Sequence, residues 1–352
     1  MHNIDFFKQM ALEGIQKLGD VNIYPIRRDD LLRINRCPLC NSLQLETIAE
    51  VYLNDEFNFF STATCTSCMF TFRTISPNFR WFQKCWNIIK SDKLEVFNTQ
   101  AEWYKEQRHI VYKNLITAYR KAGKLLEIGG GYGAGSNIFK QAGFEVEVIE
   151  AEPNKALYIE HKLKIPVMSS SIESFLDNPP TTYDIVVFSN CLEHLDHPAD
   201  VISKIPKILN PDGIMLVSLP IIWDWVNWSD ALYLTHKSNF TIENMNGLLA
   251  KNNFETLEMV RVPFFFDNAY ETSWLVKNQP NPIVLDYRYK DWRKMLLKIK
   301  NLYRKGLAIN SSPYKPLKYS VPYIDQFFQT LNLDRHRTES PEENHIVFSP
   351  IS

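Results

Sequence analysis

Four cysteines stand in two close pairs, Cys37 and Cys40 in CPLC and Cys65 and Cys68 in CTSC, with a spacer between the pairs somewhat longer than that of the usual zinc ribbon. Four thiolates at ~2.3 Å from one ion make a closed tetrahedral site that leaves no open position for catalysis. A structural zinc ion is the expected occupant, and iron in a rubredoxin-like site would use the same ligands. Closely spaced pairs in a reducing compartment read as a metal or redox site, since disulfides are rare there. Cys85 and Cys191 are left over and are expected to be buried as small apolar residues.

A second constellation lies in residues 125–138, LLEIGGGYGAGSNI, where Gly129, Gly131 and Gly133 follow an apolar run ending in Glu127 and Ile128. Glycines at the end of a strand let the backbone come close to a ligand. A phosphate-loop NTPase needs Lys-Ser/Thr directly after the glycines, but here Gly135-Ser136-Asn137 follow and the first lysine is Lys140. Glu150 closes the next apolar run, EVEVIE, about 20 positions beyond the first glycine. That spacing suits a carboxylate accepting two hydrogen bonds from ribose hydroxyls, a geometry shared by NAD and S-adenosylmethionine sites.

These residues must be positioned by strands alternating with helices. From Lys124 the chain reads KLLEI, then helical GAGSNIFKQAG, then EVEVIE, helical NKALYIEHKL, IPVM, YDIVVF, helical PADVISKIPKIL and GIMLVSL. Such βαβ alternation predicts a parallel sheet covered on both faces. Pro206 is expected to kink or end its helix, and Thr241 to cap a helix reaching about Asn252, ahead of the strand FETLEMVRV. Either SWLVKN or HIVFSP supplies the last strand. Residues 287–305 carry eight Lys/Arg and one Asp, with Trp292, Leu296, Ile299 and Tyr303 at helical spacing. They are expected to form a solvated helix resting on the sheet domain, with an anionic substrate or membrane surface as the competing partner.

The order and spacing of LLEIGGGYG, VIEAEPN, SSIESF, YDIVVFSNCLEHLDHP and LNPDGIMLVSLP resemble the class I S-adenosylmethionine-dependent methyltransferases over residues 123–262. The EHL tripeptide and the PDG turn carry this resemblance more specifically than the glycines do. It implies that Glu127 and the loop of Gly129, Gly131 and Gly133 hold the methionine end of the cofactor, and that Glu150 binds the ribose. Ile172 and Glu173 would border the adenine, although plain core packing competes for Ile172, and Asn190 would face the methionine moiety beside the methyl group.

CTSCMFTFRTISP running into such a core resembles the sugar methyltransferases of deoxysugar and surface-polysaccharide pathways. The C-methylating branch carries YHEH after strand five, supplying acid and base groups. Here YLTH keeps Tyr233 and His236 but puts Thr235 in place of the acidic residue, and the chain is short for that branch's large C-terminal domain. O-methylation is therefore expected ahead of C-methylation. His236 is the expected general base, with Tyr233 beside it, while His194 is expected to shape the cofactor pocket and is the competing base. Trp223, Trp225 and Trp228 offer aromatic faces to a sugar or other ring, or simply pack their loop onto the core.

The expected fold class is thus α/β: a Rossmann-like, doubly wound, mostly parallel sheet with a small N-terminal zinc-ribbon module and a C-terminal helical appendage. The expected divisions are residues 1–80 as the zinc-binding module, 81–120 as a helical bridge, 121–275 as the S-adenosylmethionine-binding core, and 276–352 as an appendage with a basic helix. A module as small as the first buries little and needs a metal to fold. The expected acceptor is a small hydroxylated molecule, a sugar or sugar nucleotide. An RNA base methyltransferase and a non-catalytic zinc-ribbon scaffold are the rival readings. Residues 58–72 contain no Lys or Arg, and the formal net charge of −1 over 352 residues makes no global case for nucleic acid. The N-terminus lacks a secretory pattern, and the most apolar stretch, 213–226, is broken by Pro220 and Asp224 and is shorter than the ~18–20 residues of a membrane span. A cytoplasmic protein is expected.

Overall fold

The structure is a computed structural model that describes residues 16–18, 21–23, 27–53, 57–85, 99–224, 235–264, 269–279, 292–307 and 317–321. Its strands in chain order are β1 (Gln16–Leu18), β2 (Val21–Ile23), β3 (Leu31–Arg33), β4 (Leu45–Leu53), β5 (Phe57–Cys65), β6 (Thr71–Pro77), β7 (Lys124–Ile128), β8 (Glu145–Ile149), β9 (Val167–Met168), β10 (Tyr183–Ser189), β11 (Leu209–Pro220), β12 (Ser238–Asn239), β13 (Phe254–Phe264), β14 (Ala269–Asn278) and β15 (Leu317–Val321). The α-helices are α1 (Phe79–Cys85), α2 (Thr99–Tyr119), α3 (Ala134–Gln141), α4 (Pro153–Tyr158), α5 (Ile172–Asp177), α6 (Pro198–Lys204), α7 (Ile242–Lys251) and α8 (Trp292–Leu307). The chain divides into two compact units, one of Ile88–Asp224 with Ile242–Asp286, the other of Met1–Asn87 with Trp225–Thr241 and Tyr287–Ser352.

In the first unit seven strands lie in the order β13-β14-β11-β10-β7-β8-β9. The five from β9 to β11 are parallel, and β14 runs antiparallel to both β11 and β13. The central strands are apolar at successive positions because both faces are covered. One face, with Leu125, Val146, Val148, Ile185, Val187, Ile214 and Leu216, packs with Tyr112 and Ile116 of α2 and Phe139 of α3. Helix α2 therefore belongs to the core of this unit, whereas the sequence made it part of a bridge; its buried Tyr112 and Ile116, one helical turn apart, form the stripe that covers the sheet. Pro206 ends α6 at Lys204, and the chain continues as a 3₁₀ turn over Ile205–Lys207. The last strand is formed by SWLVKN within β14, paired with β11 from Ile214↔Lys277 to Pro220↔Glu271. HIVFSP lies outside the described residues.

In the second unit β4, β5 and β6 form an antiparallel meander, extended by β15 parallel to β4 and by β12 and β3 antiparallel to β6. Helix α8 presents buried Leu296, Ile299 and Tyr303 on one stripe. The Tyr303 hydroxyl lies 3.5 Å from Arg73 of β6 and accepts from Asn239 of β12 at 3.2 Å, and Lys300 Nζ is paired with Glu46 of β4 at 2.6 Å. This corrects the expectation that the basic helix rests on the parallel-sheet domain. Its apolar stripe was legible, but which sheet would receive it depended on the positions of Glu46 and Arg73, which stand near the opposite end of the chain. The cysteine-bearing unit is consequently built from three chain segments and is larger than the N-terminal residues alone.

Candidate active site and cysteine cluster

Strands β7 and β10 are neighbours from which the chain winds toward opposite edges of the sheet. A doubly wound fold opens its ligand crevice at the carboxyl ends of such a pair. The turn after β7 has left-handed backbone at Gly129 (φ 74), Gly131 (φ 58) and Gly133 (φ 79). At Gly129 a side chain is excluded twice over, because an added Cβ would also lie 2.8 Å from Cys191 Sγ of the segment after β10. Across the turn, Glu150 at the end of β8 is buried and accepts hydrogen bonds from the Gly131 N–H through Oε2 and the Glu152 N–H through Oε1, both at 2.8 Å. Burial pushes its pKa up, while Lys155 and these backbone donors pull it down. Each oxygen retains acceptor capacity for a ligand hydroxyl.

Glu127 points to the α2 side of the sheet, where it accepts from the Ser136 hydroxyl and lies 3.2 Å from His109 Nε2. The His109 ring is oriented by Nδ1–H donating to the Lys105 carbonyl at 2.7 Å. Glycine at 135 makes this approach feasible, since a Cβ there would overlap the His109 ring and sit 2.5 Å from Glu127 Oε1.

After β10, Asn190 is held in the left-handed region (φ 49), with its N–H donating to the Ser218 carbonyl at 2.9 Å. Its Nδ2 donates to Glu271 Oε2 at 2.8 Å. The fully buried Glu271 also accepts from Arg108 Nη1 at 2.7 Å and from the Tyr112 hydroxyl, which lies 2.8 Å from Ser218 Oγ; Ser273 donates to that same serine at 2.8 Å. Burial raises the Glu271 pKa and Arg108 opposes the rise. In the following 3₁₀ turn, Leu192–His194, Glu193 is buried, and neither of its carboxylate oxygens has a hydrogen-bond partner beyond its own backbone among the described residues. Burial pushes its pKa up to about 8 against the pull of that backbone group and of Arg108. The Cys191 thiol is held well above its usual range by burial and then by the charges of Glu193, Glu150, Glu173 and Glu127.

The structure brings Glu127, Gly129, Gly131, Gly133, Glu150 and Asn190 to the carboxyl end of one sheet. Ile172 is buried at the start of α5, beneath the Ser171 N-cap that accepts from the Ser174 N–H at 3.3 Å, and Glu173 is exposed beside it. His194 is half-buried in the turn after β10. His236 is buried, but in the unit that contains the cysteines, just before β12. Trp223 is half-buried at the end of the parallel-sheet unit's first segment, whereas Tyr233, Trp225 and Trp228 lie outside the described residues. Sequence reasoning passed over Arg108, His109, Tyr112, Glu193 and Glu271. The polar residues at 108, 109 and 112 share one helix face, and the acidic residue opening ETSWLV precedes a buried strand; those were the available signals.

In the other unit the four cysteines meet, with Cys37 and Cys68 sulfurs 3.5 Å apart and Cys40 and Cys65 sulfurs 3.6 Å apart. Two knuckles of matching geometry present them. Cys37 N–H donates to the Ser42 carbonyl at 2.9 Å and Asn41 N–H to the Cys37 carbonyl at 2.8 Å; Cys65 N–H donates to the Phe70 carbonyl and Met69 N–H to the Cys65 carbonyl, both at 2.8 Å. Asn41 (φ 63) and Met69 (φ 59) take the left-handed turn that closes each knuckle. Crowding splits the thiol acidities: hydrogen bonding from its neighbours, Cys37 first, pulls Cys40 down to about 7, while Cys68 is pushed up. These four residues could hold one metal ion.

Compared with known proteins, residues 103–259 match the model of a methyltransferase domain family. The chain is 27% identical over 120 residues to a probable S-adenosylmethionine-dependent methyltransferase of Mycolicibacterium smegmatis, a match covering 34% of this chain and 45% of that protein. The chain thus spans less than half the length of that curated relative. Among solved structures it is similar to the N-methyltransferase NodS of Bradyrhizobium japonicum in complex with S-adenosylhomocysteine, with a TM-score of 0.44 and 16% identity over 54% of this chain and 96% of that one. It is also similar to a 1,6-didemethyltoxoflavin-N1-methyltransferase of Burkholderia thailandensis, with a TM-score of 0.42 and 17% identity over 50% of this chain and 80% of that one. The chain carries a methyltransferase domain.

Proposed function

We propose that this methyltransferase-domain chain moves a methyl group from S-adenosylmethionine to a small hydroxylated acceptor, a sugar or sugar nucleotide, by O-methylation in surface-polysaccharide or natural-product biosynthesis. The observation that carries the cofactor reading is the pairing of the glycine turn with Glu150. Backbone donors from Gly131 and Glu152 preorganise the carboxylate at the end of β8, so ordering it on binding costs little. S-adenosylmethionine supplies an activated methyl on a positive sulfonium, and the carboxylates of Glu127 and Glu150 at the crevice end complement that charge. Glu127 and the glycine turn would hold the methionine end, Ile172 and Glu173 the adenine, and Asn190 the neighbourhood of the methyl. Catalysis would come chiefly from holding acceptor and donor in line, with a base receiving the acceptor's proton. His236 is proposed for that role, with Tyr233 and His194 as the other acid–base candidates.

The sugar assignment is supported by the joining of a four-cysteine module to such a core and by the Tyr233 and His236 pattern, and O-methylation over C-methylation by Thr235 standing where the C-methylating branch has an acid. For the metal, sulfurs at tetrahedral corners ~2.3 Å from zinc stand about 3.8 Å apart, and the observed 3.5 and 3.6 Å fit such an ion. Cys37, Cys40, Cys65 and Cys68 would hold structural zinc.

The test incubates the full chain with methyl-labelled S-adenosylmethionine and a panel of sugar nucleotides and locates the label by mass spectrometry and NMR. Label on a sugar oxygen is expected, and label on carbon or on RNA would replace the acceptor assignment. Glu150→Ala is expected to weaken S-adenosylmethionine binding about 10-fold to 100-fold, the loss of charge-assisted hydrogen bonds worth roughly 1.5–3 kcal/mol; unchanged affinity removes Glu150 from the site.

A further inference from the structure

We infer that Glu271 is a positioning residue that, by taking the amide N–H₂ of Asn190, turns the amide oxygen toward the sulfonium of S-adenosylmethionine and so favours the methyl donor over its demethylated product. The inference rests on the methyl-transfer reading above. An asparagine amide has one donor end and one acceptor end, and its neighbours decide which faces a ligand. At Asn190 the choice is made by Glu271, whose Oε2 is 2.8 Å from Nδ2 and offers only acceptor capacity in its ionised form. Arg108 at 2.7 Å and the Tyr112 hydroxyl also donate to it, so the carboxylate is gripped by two residues of α2 as well as by Asn190. The Asn190 backbone is fixed independently by the 2.9 Å bond to the Ser218 carbonyl. The residue therefore cannot rotate away without breaking contacts to two strands.

What remains of Asn190 is its Oδ1, a buried oxygen with no hydrogen-bond partner among the described residues. Burying an oxygen without a partner costs free energy unless a ligand supplies one. It stands at the end of β10, beside the segment whose Cys191 packs on Gly129 of the turn after β7. An oxygen dipole in that crevice attracts the positive sulfonium and its polarised methyl hydrogens, and gains little from the neutral thioether left after transfer. The same oxygen would weaken product retention.

Equilibrium binding of S-adenosylmethionine and S-adenosylhomocysteine to the full chain tests this without knowledge of the acceptor. Glu271→Leu removes the oxygen shared by Asn190 Nδ2 and Arg108 Nη1, so the freed guanidinium draws the asparagine oxygen to itself and favours the flipped amide. The affinity ratio of donor to product is expected to fall about tenfold, through weaker donor binding, the size of one charge-assisted hydrogen bond. Asn190→Gly, which keeps the left-handed backbone unstrained, is expected to lower the same ratio, and it decides the matter alone if Glu271→Leu does not fold. Parallel loss of both affinities, or an unchanged ratio, reduces Glu271 to a structural group and overturns the inference. Wild-type protein that binds neither ligand overturns the methyl-transfer reading itself.

Discussion

At the residue scale, the carboxylates near the sheet's carboxyl end differ in how far the protein compensates them. Glu271 has three donors and Glu150 two, whereas Glu193 has none beyond its own backbone among the described residues. The cost follows from its raised pKa. An unfolded chain ionises Glu193 near 4.5, while the folded chain holds the proton to about 8. Between those values the folded state binds more protons than the unfolded state, so this group makes stability fall as pH rises from about 4.5 to 8, with no further loss above. Glu193→Gln mimics the neutral form. Its stability relative to wild type, measured by denaturant melts across that window, is expected to grow with pH by about 2–5 kcal/mol; a gap constant with pH would mean that Glu193 is already ionised in the folded protein. The residue stands inside the EHL tripeptide and was visible as an acid, but burial of a carboxylate without a side-chain donor is a property of its surroundings.

At the element scale, the contact between α2 and α3 is set by a missing side chain. Glycine at 135, in the first turn of α3, lets the His109 ring of α2 reach Glu127 of β7 at 3.2 Å. Gly135→Ala would gain helix propensity of roughly 1 kcal/mol, yet its Cβ would collide with the ring and with Glu127 Oε1. Overpacking of this kind costs about 1–3 kcal/mol, and the helix would have to move. The variant is expected to be less stable than wild type in chemical denaturation despite the better helix former. Equal or higher stability would show that His109 can swing out at little cost. The helix over residues 134–141 was readable from its apolar spacing. Its tight partner on α2 was not, because His109 belongs to a different helix on the far side of β7 in the chain.

At the scale of the whole molecule, each unit has its own core and its own polar site. The cysteine-bearing unit draws on chain segments from both ends of the sequence, so loss of its cross-link should be felt by β15 and α8 as well as by the knuckles. About one zinc per chain is expected from metal analysis of freshly purified protein. Cys65→Ser is expected to lose the ion and destabilise the unit by several kcal/mol, on the scale of structural zinc binding, while S-adenosylmethionine affinity in the other unit stays within about twofold. Protein purified without zinc or iron would remove the metal, and a parallel loss of cofactor binding would overturn the assignment of a purely structural role to the cysteines.

Much of this protein is determined locally. The alternation from Lys124 to Leu219 dictates a parallel sheet, the glycines and Glu150 mark its ligand end, and the two CxxC pairs announce a four-sulfur cluster, because period, turn chemistry and ligand spacing are encoded within short stretches of chain. Tertiary structure alone decided where α8 docks, that α2 is core, and that Arg108, Tyr112 and Asn190 converge on the buried Glu271 carboxylate. Those contacts join positions far apart in the chain. They depend on strand order and burial, which fix charge, orientation and desolvation only once the chain has closed upon itself.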